Sequence, residues 1–153
     1  MTDNPTISEL LNIDVKSCKK FTIDLSTYAR VVNVHDGDTI TVVFKFAGVF
    51  QKFSVRLDGI DTAELHGELS DMALRARDRL IELISQTNQI VWLDCKGLDK
   101  YGRVLADVRD SNRNICFSKA LLDEHLAYEY HGKTKLSVVE QAQSLVKHLA
   151  KTT

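Results

Sequence analysis

The fold is decided by residues 28–57, which read YARVVNVHDGDTITVVFKFAGVFQKFSVRL. The first two apolar runs are rich in β-branched and aromatic residues, and Asp36-Gly37-Asp38 stands between them, which is a strong hairpin signal. Ala47-Gly48 turns the chain again, and Phe53 and Val55 then alternate with polar residues. The stretch therefore predicts a three-stranded meander over residues 28–34, 39–46 and 50–57.

The sequence beyond the meander changes from strand to helix and back. Apolar residues between 71 and 85 recur at helical spacing, with Ser70 as the expected N-cap. Residues 90–93 and 103–108 are apolar runs typical of buried strands, and Lys100-Tyr101-Gly102 predicts a turn between them. The middle of the chain therefore predicts a helix followed by two strands.

Two further helices are expected at the end of the chain. Asn114 is expected to cap a helix that runs to about His125, and Ser137 with Glu140 matches a capping box that opens the last helix. Five short strands with a helix after the third are the layout of an OB-type barrel. We therefore expect an α+β fold, mainly a five-stranded OB-type β-barrel with three helices, over residues 21–153, preceded by an arm or short helix in residues 1–20.

Composition limits the class of protein. Hydrophobic residues make up 44% of the chain and charged residues 27%, which is typical of a globular domain, and no apolar run is long enough to cross a bilayer. Cys18, Cys95 and Cys116 match no zinc pattern and are expected to be free thiols. With no basic leader or long apolar segment at the start, these features predict an intracellular protein.

The charge balance limits how the chain could hold a polyanion. The formal net charge is −1, which does not suit a protein that grips nucleic acid by bulk charge. A nucleic-acid enzyme of this composition needs local positive groups and a metal ion. It is also expected to bind its substrate weakly, with fast exchange.

Carboxylates collect at the ends of the predicted strands. Asp38, Asp61 and Glu64 lie in or beside predicted turns, and no histidine is grouped with them at zinc-like spacing. Carboxylate and carbonyl oxygens are the ligands that Ca²⁺ prefers. Taken alone, Asp38 would more often belong to a simple hairpin turn, and Asp61-Thr62 to a turn or helix cap.

Two arginines stand near these carboxylates in the sequence. Arg56 lies on a predicted strand five residues before Asp61, and Arg103 follows Tyr101-Gly102. Planar guanidinium groups can bind two phosphoryl oxygens at once and stabilise the charge that develops during phosphodiester hydrolysis. A single strand arginine is more often a solvated surface residue, so the prediction depends on the whole set.

The set resembles the staphylococcal nuclease (thermonuclease) family, and the resemblance covers roughly residues 28–150. It is carried by three motifs that occur in the family's order, namely Asp36-Gly37-Asp38-Thr39, residues 55–64 (VRLDGIDTAE) and residues 99–106 (DKYGRVLA). The resemblance implies that Asp38, Asp61 and the carbonyl of Thr62 bind Ca²⁺, with Mg²⁺ or Mn²⁺ as alternatives. It implies that Glu64 is the general base, and that Arg56 and Arg103 bind the scissile phosphate.

The same resemblance implies a nucleotide-binding role for Lys100, Tyr101, Tyr128 and Tyr130. Stacking of a tyrosine on a base is physically reasonable, although Tyr128 and Tyr130 could equally pack between a helix and the barrel. One departure from the family pattern is Ala63, where the family usually has proline. Proline would stiffen the loop that directs Glu64, so its absence is expected to affect the rate and to remove no functional group. The stretch from Glu64 to the first helix is also shorter than in the secreted bacterial enzyme, and substrate preference is expected to differ.

The sequence thus predicts a Ca²⁺-dependent nuclease, a monomer that acts on single- or double-stranded DNA and RNA, leaves 3′-phosphate ends and has no membrane partner. The N-terminal arm and residues 128–134 are more similar to intracellular or viral members of the family. Two alternatives stay open: a nucleic-acid or protein binding module with weak or no catalysis, and an OB-type fold with an unrelated ligand.

Overall fold

The computed structural model describes residues 3–132 and 135–151, and its centre is a closed five-stranded barrel. The order of strands around the barrel is β1-β2-β3-β6-β5, and all neighbours are antiparallel except β3 and β6. The predicted barrel and its first meander are confirmed. The strands are β1 (Ser26–Asp36), β2 (Thr39–Phe46), β3 (Val49–Leu57), β4 (Ile60–Asp61), β5 (Ile90–Leu98), β6 (Val104–Asp110) and β7 (Tyr128–Glu129).

Four α-helices accompany the barrel in the described part of the chain, and they include the three predicted from the sequence. Their N-terminal ends differ from prediction in two places. The N-cap of the second helix is Leu69, and Ser70 is already its first helical residue. The helices are α1 (Ile7–Asn12), α2 (Ser70–Ser85), α3 (Phe117–Asp123) and α4 (Val138–Lys151), with a 3₁₀ turn at Val15–Ser17.

The predicted cap at Asn114 is wrong. The carboxylate of Asp110 accepts hydrogen bonds from the backbone N–H groups of Asn114 and Ile115, at 2.7 and 2.8 Å, and closes a turn there. The helix therefore starts later, at Phe117, with Cys116 as its N-cap. The capping box at Ser137 and Glu140 is confirmed, because each side chain accepts a hydrogen bond from the other residue's backbone N–H.

The barrel core is built by alternation along the strands. On β2, the side chains of Ile40, Val42 and Phe44 point inward and are almost fully buried, whereas those between them face outward. On β5, the same alternation continues through Val91, Leu93 and Cys95 and extends this strand well past the predicted end at residue 93. The barrel thus holds the β1–β2 turn and the end of β3 in fixed positions.

The N-terminal arm adds little buried surface to the fold. The N-terminal arm forms the short helix α1 with a capping box at Thr6 and Glu9, and none of its residues is buried. The three cysteines are free, as expected, and burial raises the pKa of Cys95 to about 11. Within the described ranges, no helix has the length and apolar character that crossing a membrane requires.

Candidate active site

The first part of the site is the turn between β1 and β2. A Cβ atom added at Gly37 would lie 2.7 Å from the Cβ of Ala76 on α2 and 2.9 Å from the Cγ2 of Thr62. Glycine is therefore required here by the close approach of three segments, and any larger residue would push them apart. This contact fixes the next residue, Asp38, beside the segment that follows β4.

Asp38 is buried, and both oxygens of its carboxylate have hydrogen-bond partners. Its Oδ1 accepts a hydrogen bond from the Oγ1 of Thr39 at 2.9 Å. Its Oδ2 accepts two from Thr62, one from the backbone N–H and one from the hydroxyl, both at 3.1 Å. One carboxylate oxygen of Asp38 thus connects the β1–β2 turn to Thr62, 24 positions later in the sequence.

Arg56 lies between the two aspartates at the end of β3. Its Nη1 is 3.3 Å from the Oδ2 of Asp38, and its Nη2 donates to the Oδ1 of Asp61 at 3.0 Å. Nη1 also donates to the backbone carbonyl of Ile60 at 2.8 Å. The side chains of Asp38, Arg56 and Asp61, which we call the carboxylate cluster, are all less than a tenth exposed.

Asp61 has partners from the last part of the chain. The hydroxyl of Tyr128 donates to its Oδ2 at 2.6 Å, and the Nζ of Lys135 is 3.6 Å from the same oxygen. The pairing of β4 with β7 aligns Asp61 with Tyr128 and makes this contact possible. Tyr128 is itself buried, so its position suits support of Asp61 more than contact with a nucleotide.

Burial shifts the pKa of three titratable groups at the site, those of Asp38, Asp61 and Tyr128. Burial raises the pKa of Asp38, the nearby Asp36 adds to the rise, and Arg56 offsets only part of it. Burial also raises the pKa of Asp61, against the lowering effect of the Tyr128 hydroxyl. Burial and the hydrogen bond to Asp61 raise the pKa of Tyr128 far above its usual value, so the phenol stays a donor. A bound cation would favour the ionised form of both aspartates and so lower their pKa.

The second part of the site is the turn formed by residues 99–103. The carboxylate of Asp99 accepts hydrogen bonds from the backbone N–H groups of Tyr101 and Arg103, both at 2.9 Å, and Gly102 adopts a positive φ that closes the turn. Burial acts to raise the pKa of Asp99, but these N–H groups and the Arg103 guanidinium outweigh it, and the pKa is lowered. The turn is therefore organised around one charged carboxylate.

Arg103 is held on this turn with part of its side chain in solvent. Its Nε donates to the Oδ2 of Asp99 at 2.7 Å, and 30% of the side chain is exposed. Its guanidinium carbon lies 5.3 Å from the ring centre of Tyr101, and the Nζ of Lys100 lies 5.2 Å from the same ring. Three of the predicted site residues thus share one exposed turn.

A cleft of about 440 Å³ joins the two parts of the site. Its lining includes Arg56 and Ile60 from the first part and Asp99, Lys100, Tyr101 and Arg103 from the second, whereas Asp38, Asp61 and Glu64 do not line it. Tyr130 also lines the cleft, with its ring centre 5.9 Å from the guanidinium carbon of Arg56. Both predicted phosphate-binding arginines therefore face the same space, together with Lys100, Tyr101 and Tyr130.

Glu64, the predicted general base, has no described contact between its carboxylate and the other predicted site residues. It is exposed, and its side chain makes no hydrogen bond or ion pair with any residue in the described ranges. Ala63 beside it is buried and packs with Ala73 and Leu145. The loop is thus anchored through Ala63, and the carboxylate of Glu64 projects from it into solvent.

Two residues of the site carried no sequence prediction. Asp99 organises the turn that holds Arg103. Its position three residues before Gly102 is a recognisable turn signal. Lys135 approaches both Asp61 and the ring of Tyr130, and it lies in no motif. Only the return of the chain through β7 brings Lys135 to the site.

The oxygen-rich cluster fits a hard cation in part. Asp38 and Asp61 offer carboxylate oxygens in a site without histidine or cysteine, which suits Ca²⁺ or Mg²⁺ rather than zinc. In the described part of the chain, no group of three or more histidine, cysteine or acidic residues is close enough to hold a metal ion. A cation would therefore complete its coordination with a backbone carbonyl, such as that of Thr62, and with water.

The sequence model of a family described as staphylococcal nuclease homologue matches residues 54–152. The chain belongs to this family. The matched range includes Arg56, Asp61, Glu64 and Arg103 and begins after the β1–β2 turn that carries Asp38. A search of curated proteins gave no match. The inclusion of Asp38 in the site of this nuclease homologue therefore rests on its 3.3 Å contact with Arg56.

Proposed function

We propose that the chain is a Ca²⁺-dependent nuclease that hydrolyses phosphodiester bonds of DNA or RNA, acting as a monomer. One observation supports this most strongly. Asp38 and Asp61 are 23 positions apart in the sequence, yet both contact Arg56, which lines the cleft that Arg103 also lines. Two guanidinium groups that line one cleft, with two carboxylates in contact with one of them, are groups that phosphodiester hydrolysis uses.

The proposed metal ligands are the carboxylates of Asp38 and Asp61 and the carbonyl of Thr62. When bound, Ca²⁺ supplies positive charge to a phosphoryl oxygen and lowers the pKa of bound water. The position of both carboxylates supports this assignment, because Asp38 and Asp61 contact the same guanidinium group and so lie close to each other.

The two arginines are proposed to bind the scissile phosphate. Arg56 is held rigidly by four protein oxygens, whereas Arg103 uses only its Nε for Asp99 among the described contacts and can turn its Nη atoms toward the cleft. A preorganised guanidinium group such as that of Arg56 stabilises the transition state because its position does not change during the reaction.

Glu64 is proposed to be the general base. Its exposed carboxylate would accept a proton from the attacking water, directly or through a second water, as the new P–O bond forms. The 5′ P–O bond then breaks, which leaves a 3′-phosphate on one product and a 5′-hydroxyl, protonated by solvent, on the other. The cleft volume of about 440 Å³ lies within the range of small-ligand sites and suits one nucleotide, with Tyr101 and Tyr130 available for stacking.

A nucleic-acid binding module is the second candidate. The observation that favours it concerns Glu64. Its carboxylate makes no hydrogen bond or ion pair with any described residue, so the fold does not fix its orientation. In that case the arginines and tyrosines of the cleft would bind a strand without cleaving it.

Digestion of labelled DNA and RNA in Ca²⁺, in Mg²⁺ and in chelator separates these functions. The proposal predicts cleavage in Ca²⁺, loss of cleavage in chelator, and 3′-phosphate ends on the products. The variant Asp38→Asn removes one proposed ligand oxygen, so it should lose cleavage in Ca²⁺. Intact substrate under all conditions, with binding still measurable, would establish the binding module instead.

A further inference from the structure

Lys135 connects the carboxylate cluster with the cleft. Its Nζ lies 3.6 Å from the Oδ2 of Asp61, and the same side chain lines the cleft, which Asp61 itself does not. The Nζ also lies 6.0 Å from the ring centre of Tyr130, which lines the cleft as well. Lys135 therefore has an anionic partner on one side and an open space on the other.

The backbone next to this lysine is held by the start of α4. The carbonyl of Leu136 accepts a hydrogen bond from the Nε2 of Gln141 at 2.8 Å, and the capping box of Ser137 and Glu140 follows directly. The side chain of Lys135 is nevertheless 55% exposed. The fold thus fixes where this side chain starts, while its flexible four-carbon stem allows the ammonium group several positions.

Among the partners of Asp61 in the described part of the chain, Lys135 is held least tightly. Its contact of 3.6 Å exceeds the usual length of a hydrogen bond. Arg56 donates to Oδ1 at 3.0 Å and the Tyr128 hydroxyl donates to Oδ2 at 2.6 Å, and both of these residues are buried. Because an exposed ion pair contributes little to stability, Lys135 is the partner that can leave Asp61 without disturbing the interior.

Lys135 and the proposed metal ion compete for the same carboxylate. Asp61 is one of the two aspartates proposed to hold Ca²⁺, and a divalent cation held there would repel an ammonium group that contacts the same side chain. Lys135 would therefore weaken the binding of Ca²⁺, and bound Ca²⁺ would weaken the contact of Lys135 with Asp61. The two effects are equal in size because binding equilibria that share a site are linked.

The cleft offers the displaced ammonium group a second position. The Nζ is already close to the ring of Tyr130, and the face of such a ring attracts a cation. A phosphate bound in the cleft would add a stronger, charge-assisted hydrogen bond. The exchange therefore moves one positive charge from the carboxylate cluster to the space that the substrate is proposed to occupy.

We propose that Lys135 is a further substrate-binding residue, whose ammonium group contacts Asp61 in the absence of metal and turns into the cleft, toward a phosphate of the strand, when Ca²⁺ is bound. This inference rests on the proposed metal site and nuclease function. It predicts that Ca²⁺ and the strand each strengthen the binding of the other through one side chain.

The first test is calorimetric titration of Ca²⁺ into the protein without nucleic acid. Lys135→Gln removes the competing charge and should bind Ca²⁺ about 3- to 10-fold more tightly than the wild type, in the lower range of coupling between sites. Lys135→Arg keeps the charge and should bind Ca²⁺ nearly as weakly as the wild type. The matched control is Lys100→Gln, which removes a lysine that lines the same cleft and whose Nζ lies against the ring of Tyr101. Its affinity for Ca²⁺ should be nearly unchanged.

The second test measures by anisotropy the affinity for a fluorescent oligothymidylate of about six nucleotides, a length within the site sizes of OB folds. All proteins carry Glu64→Gln, so that the strand stays intact in Ca²⁺. Ca²⁺ should strengthen strand binding when Lys135 is present, and the factor should be about 3- to 10-fold smaller with Lys135→Gln. In chelator the two proteins should differ much less, because the lysine then contacts Asp61. Equal weakening by Lys135→Gln in both conditions would indicate a fixed or structural role and would overturn the inference.

Thermal unfolding first shows that each variant is folded, and Lys135→Met replaces Lys135→Gln if the latter is not. Equal Ca²⁺ affinity of the wild type and Lys135→Gln would overturn the inference, as would an equal gain in Lys100→Gln. If neither the wild type nor any variant binds Ca²⁺, the proposed metal site fails and the inference fails with it. A gain in Ca²⁺ affinity without any cleavage by the wild type would refute the nuclease and leave the competition at Asp61 in place.

Discussion

Two arginines of this molecule do different work, and the contrast between their surroundings explains how the site is built. Arg56 is buried, and two carboxylates and two backbone carbonyls surround its guanidinium. Arg103 lies on an exposed turn and is held by one carboxylate, that of Asp99. Arg56 contributes to the interior packing of the fold, whereas Arg103 is held at its surface. We therefore expect Arg56 to contribute much to the stability of the fold and Arg103 to contribute little.

The largest expected effect comes from Arg56→Ala. Because this change leaves Asp38 and Asp61 buried without their shared cation, it should lower the free energy of unfolding by about 3–5 kcal/mol and abolish cleavage. Urea unfolding followed by circular dichroism measures the loss. Adding Asp38→Asn should restore part of the stability by removing one buried charge. A loss below about 1 kcal/mol would mean that the carboxylate cluster is not held by Arg56.

Arg103→Ala should separate activity from stability. Its ion pair with Asp99 is partly exposed, so the free energy of unfolding should change by no more than about 1 kcal/mol. The rate of cleavage should fall by about 10²- to 10³-fold, the usual cost of removing one transition-state donor. Steady-state cleavage and urea unfolding on the same preparation test both halves. Equal stability losses for Arg103→Ala and Arg56→Ala would remove the contrast between the two arginines.

Tyr128→Phe gives a smaller and more local change. The variant removes the hydroxyl that donates to Asp61 and keeps the ring that packs in the interior. We expect a loss of about 1.5 kcal/mol, at the lower end for a hydrogen bond to a charged group, because Lys135 still approaches the same oxygen. Tyr28→Phe, at a half-exposed tyrosine on β1, is the control for a general effect of losing a hydroxyl. If Tyr128→Phe leaves stability unchanged but weakens nucleotide binding, Tyr128 has the ligand-binding role implied by the family resemblance.

The barrel could be predicted from the sequence because its signals are local. The alternation in residues 28–57 sets both the strands and their register, and the helical spacing after residue 70 sets α2. Helix starts were less predictable since they depend on competition between nearby groups. Asp110 takes the backbone N–H groups of Asn114 and Ile115, so the capping preference of Asn114 has no effect.

For the candidate site, the sequence predicts a set of residues and not their arrangement. The order of motifs predicts roles for Asp38, Arg56, Asp61 and Arg103, but nothing local indicates that Arg56 is buried between the two aspartates. The bond from Tyr128 to Asp61 spans 67 positions and depends on β4 pairing with β7. The requirement for glycine at position 37 likewise comes from Ala76 and Thr62, and not from the turn alone.

The most direct test of the proposed function is the cleavage rate of Glu64→Gln beside the wild type, in Ca²⁺, with binding of the same oligonucleotide measured in chelator. Glutamine keeps the size of the side chain and cannot accept the proton, and Glu64 contacts no described residue, so stability and affinity should be unchanged. The proposed mechanism predicts cleavage by the wild type and a rate about 10²- to 10⁴-fold lower for the variant. Equal rates would show that Glu64 is not the base, and absence of cleavage by the wild type would contradict the nuclease function itself.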